Sequence, residues 1–328
     1  MRVEGGQVVA DPKGTSTASR RPQWLLTGIF VAACGIAFLV VSRSIDFATV
    51  LERLRAANAV PIAFAFVGYL GSLLLLCLRW HALVTTLKPS ARFHNSVEAL
   101  TASLMLNYAS PGSVGVPARA ILTRQLEGLP FVSIVPLAAG EALLDIAVLA
   151  AMVGVTLLIS GPDAARSLLL PLAKQEGIVP IVGAVLMVVA IGAVAVWYRR
   201  TTVARLLRPS ANALQTIARQ PRVLLRVVVL AVSFWTTQIG IISLLFVALG
   251  QAHPLHFLFP YTVLPLLAGM VVPVPGGAGV REALMVGTAQ AFGVSLESAL
   301  IVAVLYRLLL FVTDPVLFIA ARLSARGN

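Results

Sequence analysis

Ser110–Val116 reads SPGSVGV and Val274–Val280 reads VPGGAGV, so the pattern Pro-Gly-x-x-Gly-Val occurs twice. Residue 110 corresponds to residue 274, and this offset of 164 residues is half of the 328-residue chain. A glycine-rich break in an apolar stretch leaves backbone N–H and C=O groups unpaired, and lipid cannot satisfy them. Such a break needs cover from protein or water. We therefore expect the two copies to face each other and to form the working site.

The composition is that of a membrane protein. Hydrophobic residues make up 59% of the chain and charged residues 12%, and the mean hydropathy is +0.93. Apolar runs of about 18 or more residues recur along the chain, and each can span about 30 Å of hydrocarbon as a helix. The sequence therefore predicts an all-α polytopic membrane protein. Residues 1–22 are polar and are expected to form a disordered cytoplasmic tail, and residues 23–328 a single integral membrane domain.

Ten apolar segments follow this tail. Six of them are long enough to cross a bilayer: Trp24–Val41, Val60–Trp80, Phe131–Ser160, Ile178–Tyr198, Val223–Leu249 and Glu297–Ala321. The other four are shorter and form two pairs, each flanking one motif: Val97–Tyr108 with Val116–Leu126, and Phe257–Val272 with Val280–Phe292. We expect about six full spans and two re-entrant pairs. Full crossing by the short pairs, which gives more membrane helices, is the alternative.

The offset between the motifs also relates the flanking spans. It maps a first repeat, at about 60–160, onto a second repeat, at about 223–322, and leaves 178–198 as a connecting span. Each repeat reads span, short pair, span. An odd number of crossings separates the starts of the two repeats, so they are predicted to be inverted relative to each other. This arrangement is common among secondary transporters.

The net charge of +12 is concentrated in loops and tails. The basic segments include Arg79–Arg92 and Arg199–Arg222, whereas the loops at 43–58, 161–177 and 250–256 are nearly neutral. By the positive-inside rule both termini are expected in the cytoplasm, with the protein in a bacterial-type cell (inner) membrane. Contacts with anionic lipid explain this charge, so no nucleic-acid partner is expected.

The motif has two physical interpretations. Proline ends the incoming half-helix, and glycine permits turns and close approach of a backbone or a ligand. The next helix then begins with free N–H groups and a positive dipole end, which suit a phosphate or a carboxylate. The alternative is a hairpin tip whose small residues only let helices pack tightly.

Charged residues occur inside the predicted spans. Glu141 and Asp145 are four residues apart on one helix face, and Arg307 aligns with position 143 under the repeat offset. We therefore predict a buried pair between these acids and Arg307, with Asp314 on the same face as Arg307. Ionisable groups at this depth usually face a cavity or a partner. They either fix helix packing or bind protons or a lipid headgroup.

Charged residues also follow each motif. Arg119 comes after the first, and Arg281 and Glu282 come after the second. An arginine at a helix mouth would complete an anion site, and the alternative is that it snorkels to the interface.

Motif and charged residues together form the predicted substrate-binding set: Pro111, Gly112, Ser113, Gly115, Arg119, Glu141, Asp145, Pro275, Gly276, Gly277, Gly279, Arg281, Glu282, Arg307 and Asp314. The sequence contains no recognisable catalytic motif, and neither its histidines nor Cys34 and Cys77 have the spacing of metal ligands. We expect no enzymatic activity, no cofactor and no metal site.

Three stretches carry a resemblance to a known family: Asn107–Arg119 (NYASPGSVGVPAR), Glu141–Asp145 (EALLD) and Val274–Glu282 (VPGGAGVRE). The chain resembles the flippase-like membrane domain of the lysylphosphatidylglycerol synthase/flippase family, from about residue 24 onward. The resemblance implies movement of an aminoacylated phospholipid between leaflets. Some members carry a soluble aminoacyl-transferase domain after the membrane region. None follows here, so synthase activity is not expected.

The leading functional hypothesis is a lipid flippase-like transporter that moves or binds an anionic or aminoacylated phospholipid. Its partners would be membrane phospholipids. The alternative is a non-catalytic membrane accessory subunit of a lipid or glycan synthase, which would bind that lipid-modifying enzyme. The sequence predicts no particular oligomeric state.

Overall fold

The computed structural model describes residues 47–109, 115–174, 220–271 and 279–326. All of them lie in one compact unit, Ile45–Asn328. Over these ranges the regular structure is entirely helical, which confirms the all-α prediction. The helices are α1 (Phe47–Ala56), α2 (Ala59–Leu87), α3 (Phe93–Ala109), α4 (Gly115–Glu127), α5 (Phe131–Lys174), α6 (Pro221–Ala248), α7 (Leu255–Val271), α8 (Val280–Ala291) and α9 (Leu296–Arg326).

Four of these helices contain a stretch long and apolar enough to cross a membrane. The stretches are Ala59–Leu87, Phe131–Met152, Pro221–Ala248 and Leu296–Ser324. They confirm four of the six predicted spans, and the other two, Trp24–Val41 and Ile178–Tyr198, lie outside the described residues. Large apolar side chains on the outside of these helices, such as Phe64 and Leu225, are well exposed, as expected of surfaces that face lipid.

The two predicted pairs of short helices are present. The 17-residue α3 packs against the 13-residue α4, and the 17-residue α7 packs against the 12-residue α8. A 17-residue helix is about 26 Å long, less than the roughly 30 Å of hydrocarbon in a bilayer. Their bounds differ by only a few residues from those predicted. That the pairs are re-entrant stays a prediction.

Helix α5 is longer than the sequence predicts. It runs for 44 residues, which corresponds to about 66 Å, about twice the roughly 30 Å of hydrocarbon in a bilayer. The prediction of a loop at 161–177 is therefore wrong for residues 161–174. The alanines and leucines of this segment are strong helix formers, and its charged residues do not prevent a helix from continuing beyond the apolar layer.

Helices α2 and α6 form the centre of the fold and run antiparallel. The backbone N–H of Asn58, just before α2, donates to the carbonyl of Ala248 at the end of α6, at 2.8 Å. Further along, Gln238 Nε2 donates to Ser72 Oγ at 3.3 Å. The buried side chains of Tyr69, Leu73, Trp235 and Phe246 belong to a core that α7, α8 and α9 complete.

Each pair of short helices also packs against a long helix of the other half. Helix α3 contacts α9, and α7 contacts α5. Arg322 Nε on α9 donates to Glu98 Oε1 on α3 at 2.8 Å, which fixes one of these crossings. The two halves are thus interlocked rather than side by side, and residues of both halves can reach one site.

Candidate functional site

The site is centred on Arg79 of α2, whose side chain is 2% exposed. Its Nε donates to Glu141 Oε1 at 2.9 Å, and its Nη1 and Nη2 donate to the two oxygens of Asp145 at 2.6 and 3.0 Å. The guanidinium is a planar fork of donors, so it can bind two carboxylates at once and one of them bidentately. Glu141 and Asp145 are one turn apart on α5, so both face Arg79.

A second arginine approaches Glu141 from α4. Arg119 Nη2 lies 2.6 Å from Glu141 Oε2, and its guanidinium carbon lies 4.2 Å from the centre of the Trp80 ring. Within the described part of the chain, Arg119 Nε has no hydrogen-bond partner. Arg119 is only 8% exposed, so it does not snorkel to an interface.

Helix α6 completes the arrangement. Trp235 Nε1 donates to Asp145 Oδ1 at 2.9 Å, and the Arg79 guanidinium lies 5.8 Å from the centre of the Phe234 ring. We call Arg79, Arg119, Glu141 and Asp145 the Arg79 cluster. Its two positive and two negative charges balance, which makes their burial tolerable. Removal of one member would leave an uncompensated buried charge, which is strongly unfavourable.

The predicted pairing of Glu141 and Asp145 with Arg307 is wrong. Arg307 Nη2 instead lies 2.6 Å from Glu282 Oε1, although the two groups are not aligned as a hydrogen bond. The acids pair with Arg79, which the sequence placed at the start of a basic loop because the apolar run ends near Trp80. In the structure α2 continues to Leu87 and carries Arg79 inside. Two acids inside a span require a nearby cation, and this requirement is the sequence signal that could have identified Arg79 as their partner.

The charged residues after the second motif have different roles. Glu282 Oε2 accepts a hydrogen bond from the Gly279 N–H at 2.7 Å, so Glu282 caps α8 as well as pairing with Arg307. Gly279 has φ +80°, a conformation that favours glycine. Arg281 is 8% exposed, and its guanidinium lies 5.8 Å from the centre of the Tyr306 ring. Its burial is again at odds with snorkelling.

Much of the two motifs lies outside the described residues, including Pro111, Gly112, Ser113, Pro275, Gly276 and Gly277. The expectation that the two breaks face each other stays a prediction. Gly115 is described, and a Cβ atom there would come within 2.9 Å of both Asn107 Cβ and the Ser103 carbonyl oxygen. This glycine lets α4 approach α3 closely, as the packing interpretation of the motif requires.

Glu127, at the end of α4, holds this helix in place outside the four spans. Its carboxylate lies 3.0 Å from Lys88 Nζ and accepts hydrogen bonds from Asn95 Nδ2 at 2.8 Å and the Arg92 N–H at 3.0 Å. Burial favours the neutral acid, but these donors outweigh it and keep the pKa of Glu127 below its ordinary value. The ionised Glu127 thus joins α4, and with it Arg119, to the loop between α2 and α3.

Asp314 lies apart from these pairs. It is 1% exposed, and neither of its carboxylate oxygens has a hydrogen-bond partner among the described residues. The sequence placed Asp314 on the same helix face as Arg307, but Arg307 pairs with Glu282 instead.

A cavity of about 510 Å³ lies at the end of the fold where α6 ends and α9 begins. It is lined in part by Arg53, Gln251, His253 and Ser295, and Arg53 Nη1 donates to Ser295 Oγ at 2.9 Å. The Arg79 cluster is not part of this cavity. Among the described residues no group of three His, Cys, Asp or Glu side chains is placed to hold a metal ion.

No curated protein and no solved structure matched the chain. Residues 25–316 match the family described as the lysylphosphatidylglycerol synthase TM region, which confirms the resemblance carried by the three sequence stretches. The match covers most of the chain, and together with the apolar helices it indicates a multi-pass membrane protein related to membrane lipids. The chain therefore belongs to the lysylphosphatidylglycerol synthase TM region family.

Proposed function

We propose that this protein is a lipid flippase-like transporter that binds a phospholipid headgroup at the Arg79 cluster. The observation that carries the proposal is this buried set of two arginines and two carboxylates, contributed by α2, α4 and α5. Ionisable groups in a membrane-spanning region are costly and usually mark a binding site or a transport path. Family membership supports a lipid as the ligand.

The chemistry of the cluster suits a headgroup that carries both charges. A phosphate could replace Glu141 beside Arg119, where the Nε donor has no partner within the described residues. An amino group of an aminoacylated lipid could then bind the carboxylates. Each exchange substitutes one charged hydrogen bond for another, so the charge balance of the buried site is preserved. The described state, with arginines and acids paired to each other, would be the closed state without lipid.

The arrangement of helices supports alternating access. Helices α2 and α6, which the sequence offset relates to each other, pack antiparallel, as inverted repeats require. The pairs α3–α4 and α7–α8 occupy equivalent places against the opposite half. Inverted repeats that rock about a central site are a common transporter design. We further propose that both termini are cytoplasmic, that the membrane is a bacterial-type cell membrane, and that the protein performs no enzymatic chemistry.

Lipid movement in reconstituted vesicles tests the proposal. Fluorescent phosphatidylglycerol, or its aminoacylated form, would be placed in both leaflets, and a membrane-impermeant reductant would bleach only the outer one. We expect the protein to raise the bleached fraction above one half. Arg119→Gln should slow lipid movement on the order of tenfold, which corresponds to an increase of about 1.4 kcal/mol in the barrier to that movement. The matched control is Arg124→Gln, an exposed arginine on the same helix. If neither lipid moves faster than in protein-free vesicles, the proposal is wrong.

A non-catalytic accessory subunit of a lipid or glycan synthase is the second candidate. It is favoured by the saturation of Arg79, Glu141 and Asp145 with mutual bonds, since such a network can fix helix packing without binding any ligand. This role predicts co-purification with a synthase and unchanged synthase activity in Arg119→Gln protein that remains folded. The vesicle assay separates the two roles, because only the transporter moves lipid alone.

A further inference from the structure

Asp314 is a buried acid that the Arg79 cluster does not use. It lies about 27 Å along α9 from Leu296 and about 18 Å from Arg326, at about 1.5 Å per residue, and so well inside the span Leu296–Ser324. Its side chain is almost completely enclosed, yet within the described ranges its two oxygens accept no hydrogen bond. Native structures rarely leave a buried polar group in this condition, and each case calls for an explanation.

The titratable groups around Asp314 do not neutralise it. Cys77 of α2 is buried and lies close enough to interact electrostatically with Asp314. Tyr306, about two turns earlier on α9, also interacts with it electrostatically. A thiol and a phenol are both neutral at ordinary pH. The Tyr306 hydroxyl is already committed, since it donates to Gln238 Oε1 at 2.9 Å.

The charged groups on the other helices packed against α9 do not pair with Asp314. Glu98 of α3 is bonded to Arg322, and Arg53 of α1 is bonded to Ser298, about 24 Å along α9 from Asp314. The remaining charged residues on α1, α6 and α8 are Glu52, Arg55, Arg222, Arg226, Arg281 and Glu282. None of them forms an ion pair with Asp314 in the described structure.

This environment favours a neutral side chain. An ionised carboxylate that is buried without a partner is far more costly than the protonated acid, which loses only ordinary hydrogen bonds. Glu141 and Asp145 differ, because the guanidinium groups of Arg79 and Arg119 balance their charges. Of these three acids inside the described spans, Asp314 is therefore the one whose charge can change at low cost.

The residue after Asp314 offers a means of changing its environment. Pro315 lies inside α9, and a proline removes one backbone hydrogen bond and permits a helix to bend. A bend at this point would change the distance between Asp314 and Cys77 on α2, and with it their electrostatic interaction. The buried acid Asp314 and the proline at which α9 can bend are thus adjacent residues.

We propose that Asp314 is a proton-binding site that couples lipid movement to proton transfer, an inference that rests on the proposed transport function. In the enclosed state the side chain is a carboxylic acid. When α9 bends and water reaches Asp314, its O–H bond breaks, the proton passes to water, and a carboxylate remains until the next proton is taken up. The coupling ion would thus bind at α9, and the headgroup at the Arg79 cluster.

Infrared spectroscopy of the full-length protein in lipid nanodiscs tests proton binding without requiring transport. The C=O stretch of a protonated carboxyl should be present in wild type at neutral pH and absent in Asp314→Asn. Glu52→Gln, which alters an exposed acid of α1, should retain it. If the C=O band of Asp314→Asn were as intense as that of wild type, the proposal would be overturned. Because asparagine resembles the neutral acid in size and charge, the variant is expected to fold.

The vesicle assay with an imposed pH gradient tests the coupling. Wild-type lipid movement should change severalfold when the gradient is reversed, and Asp314→Asn should respond equally to both directions. If wild type moves lipid at the same rate under both directions of the pH gradient, the coupling is refuted while the transport function stands. If wild type moves no lipid, the transport function and its coupling both fail, and the infrared result alone decides whether Asp314 binds a proton.

Discussion

At the scale of single residues, the central feature of the site is the pair of arginines that neutralises the two acids of α5. Arg79 binds both, and Arg119 binds only Glu141. A lysine could not make the same contacts, because its ammonium group has no planar fork to span two carboxylates. Arg79 therefore joins α2 to both acids of α5 through three hydrogen bonds.

Replacement of this arginine should destabilise the protein strongly. Arg79→Gln leaves Asp145 without its bidentate partner, and breaking a buried pair in this way costs about 3–5 kcal/mol. The free energy of unfolding in mixed detergent and denaturant measures the loss. Arg124→Gln on the exposed face of α4 should change it by no more than about 0.5 kcal/mol.

A double variant sharpens this test. Adding Asp145→Asn to Arg79→Gln removes the unpaired buried carboxylate, so the double variant should be clearly more stable than Arg79→Gln alone. Equal stability of the single and double variants would contradict a direct bond between the two side chains.

At the scale of elements, the short helices depend on close approach. Gly115, the first residue of α4, has no room for a Cβ, because the Ser103 carbonyl and Asn107 of α3 occupy that space. This close packing of α4 on α3 places Arg119, one turn after Gly115, in contact with Glu141. The sequence predicted both short helices from the motif, but their contact surface emerges only from the packed pair.

A pair of glycine substitutions tests this junction. Gly115→Ala should lower the free energy of unfolding by about 1–3 kcal/mol, since backbone and side chain of α3 must both move. Gly71→Ala in α2 is the matched control. An alanine there meets no atom within 4 Å and should stabilise the helix by roughly 0.5–1 kcal/mol. Similar effects at both positions would show that Gly115 is not required for packing.

At the scale of the whole molecule, the antiparallel centre places two loops at opposite ends of the fold. Ser90 follows the end of α2, whereas Ala252 follows the end of α6, which lies beside the start of α2. Both residues are exposed. The proposed orientation assigns the Ser90 end to the cytoplasm and the Ala252 end to the outside.

Thiol labelling of intact cells measures this arrangement. In a Cys34→Ala, Cys77→Ala background, a membrane-impermeant reagent should label Ala252→Cys from outside and Ser90→Cys only after the cells are opened. The reverse pattern would invert the proposed topology. Labelling of both positions from the same side would contradict a molecule in which α2 crosses the membrane.

The sequence by itself determined the helical class, the four described spans, the short pairs and the family. Lipid permits only internally bonded backbone, so length and hydropathy are enough to identify spanning helices. An apolar run placed Glu141 and Asp145 inside a span, and their spacing of four residues placed them on one face of it. Only the tertiary structure decided that Arg79 binds them, that Arg307 binds Glu282 and that Asp314 has no partner among the described residues. Sequence periodicity reports depth and face along one helix, whereas the partner of a charge depends on how helices distant in sequence are rotated and offset against each other.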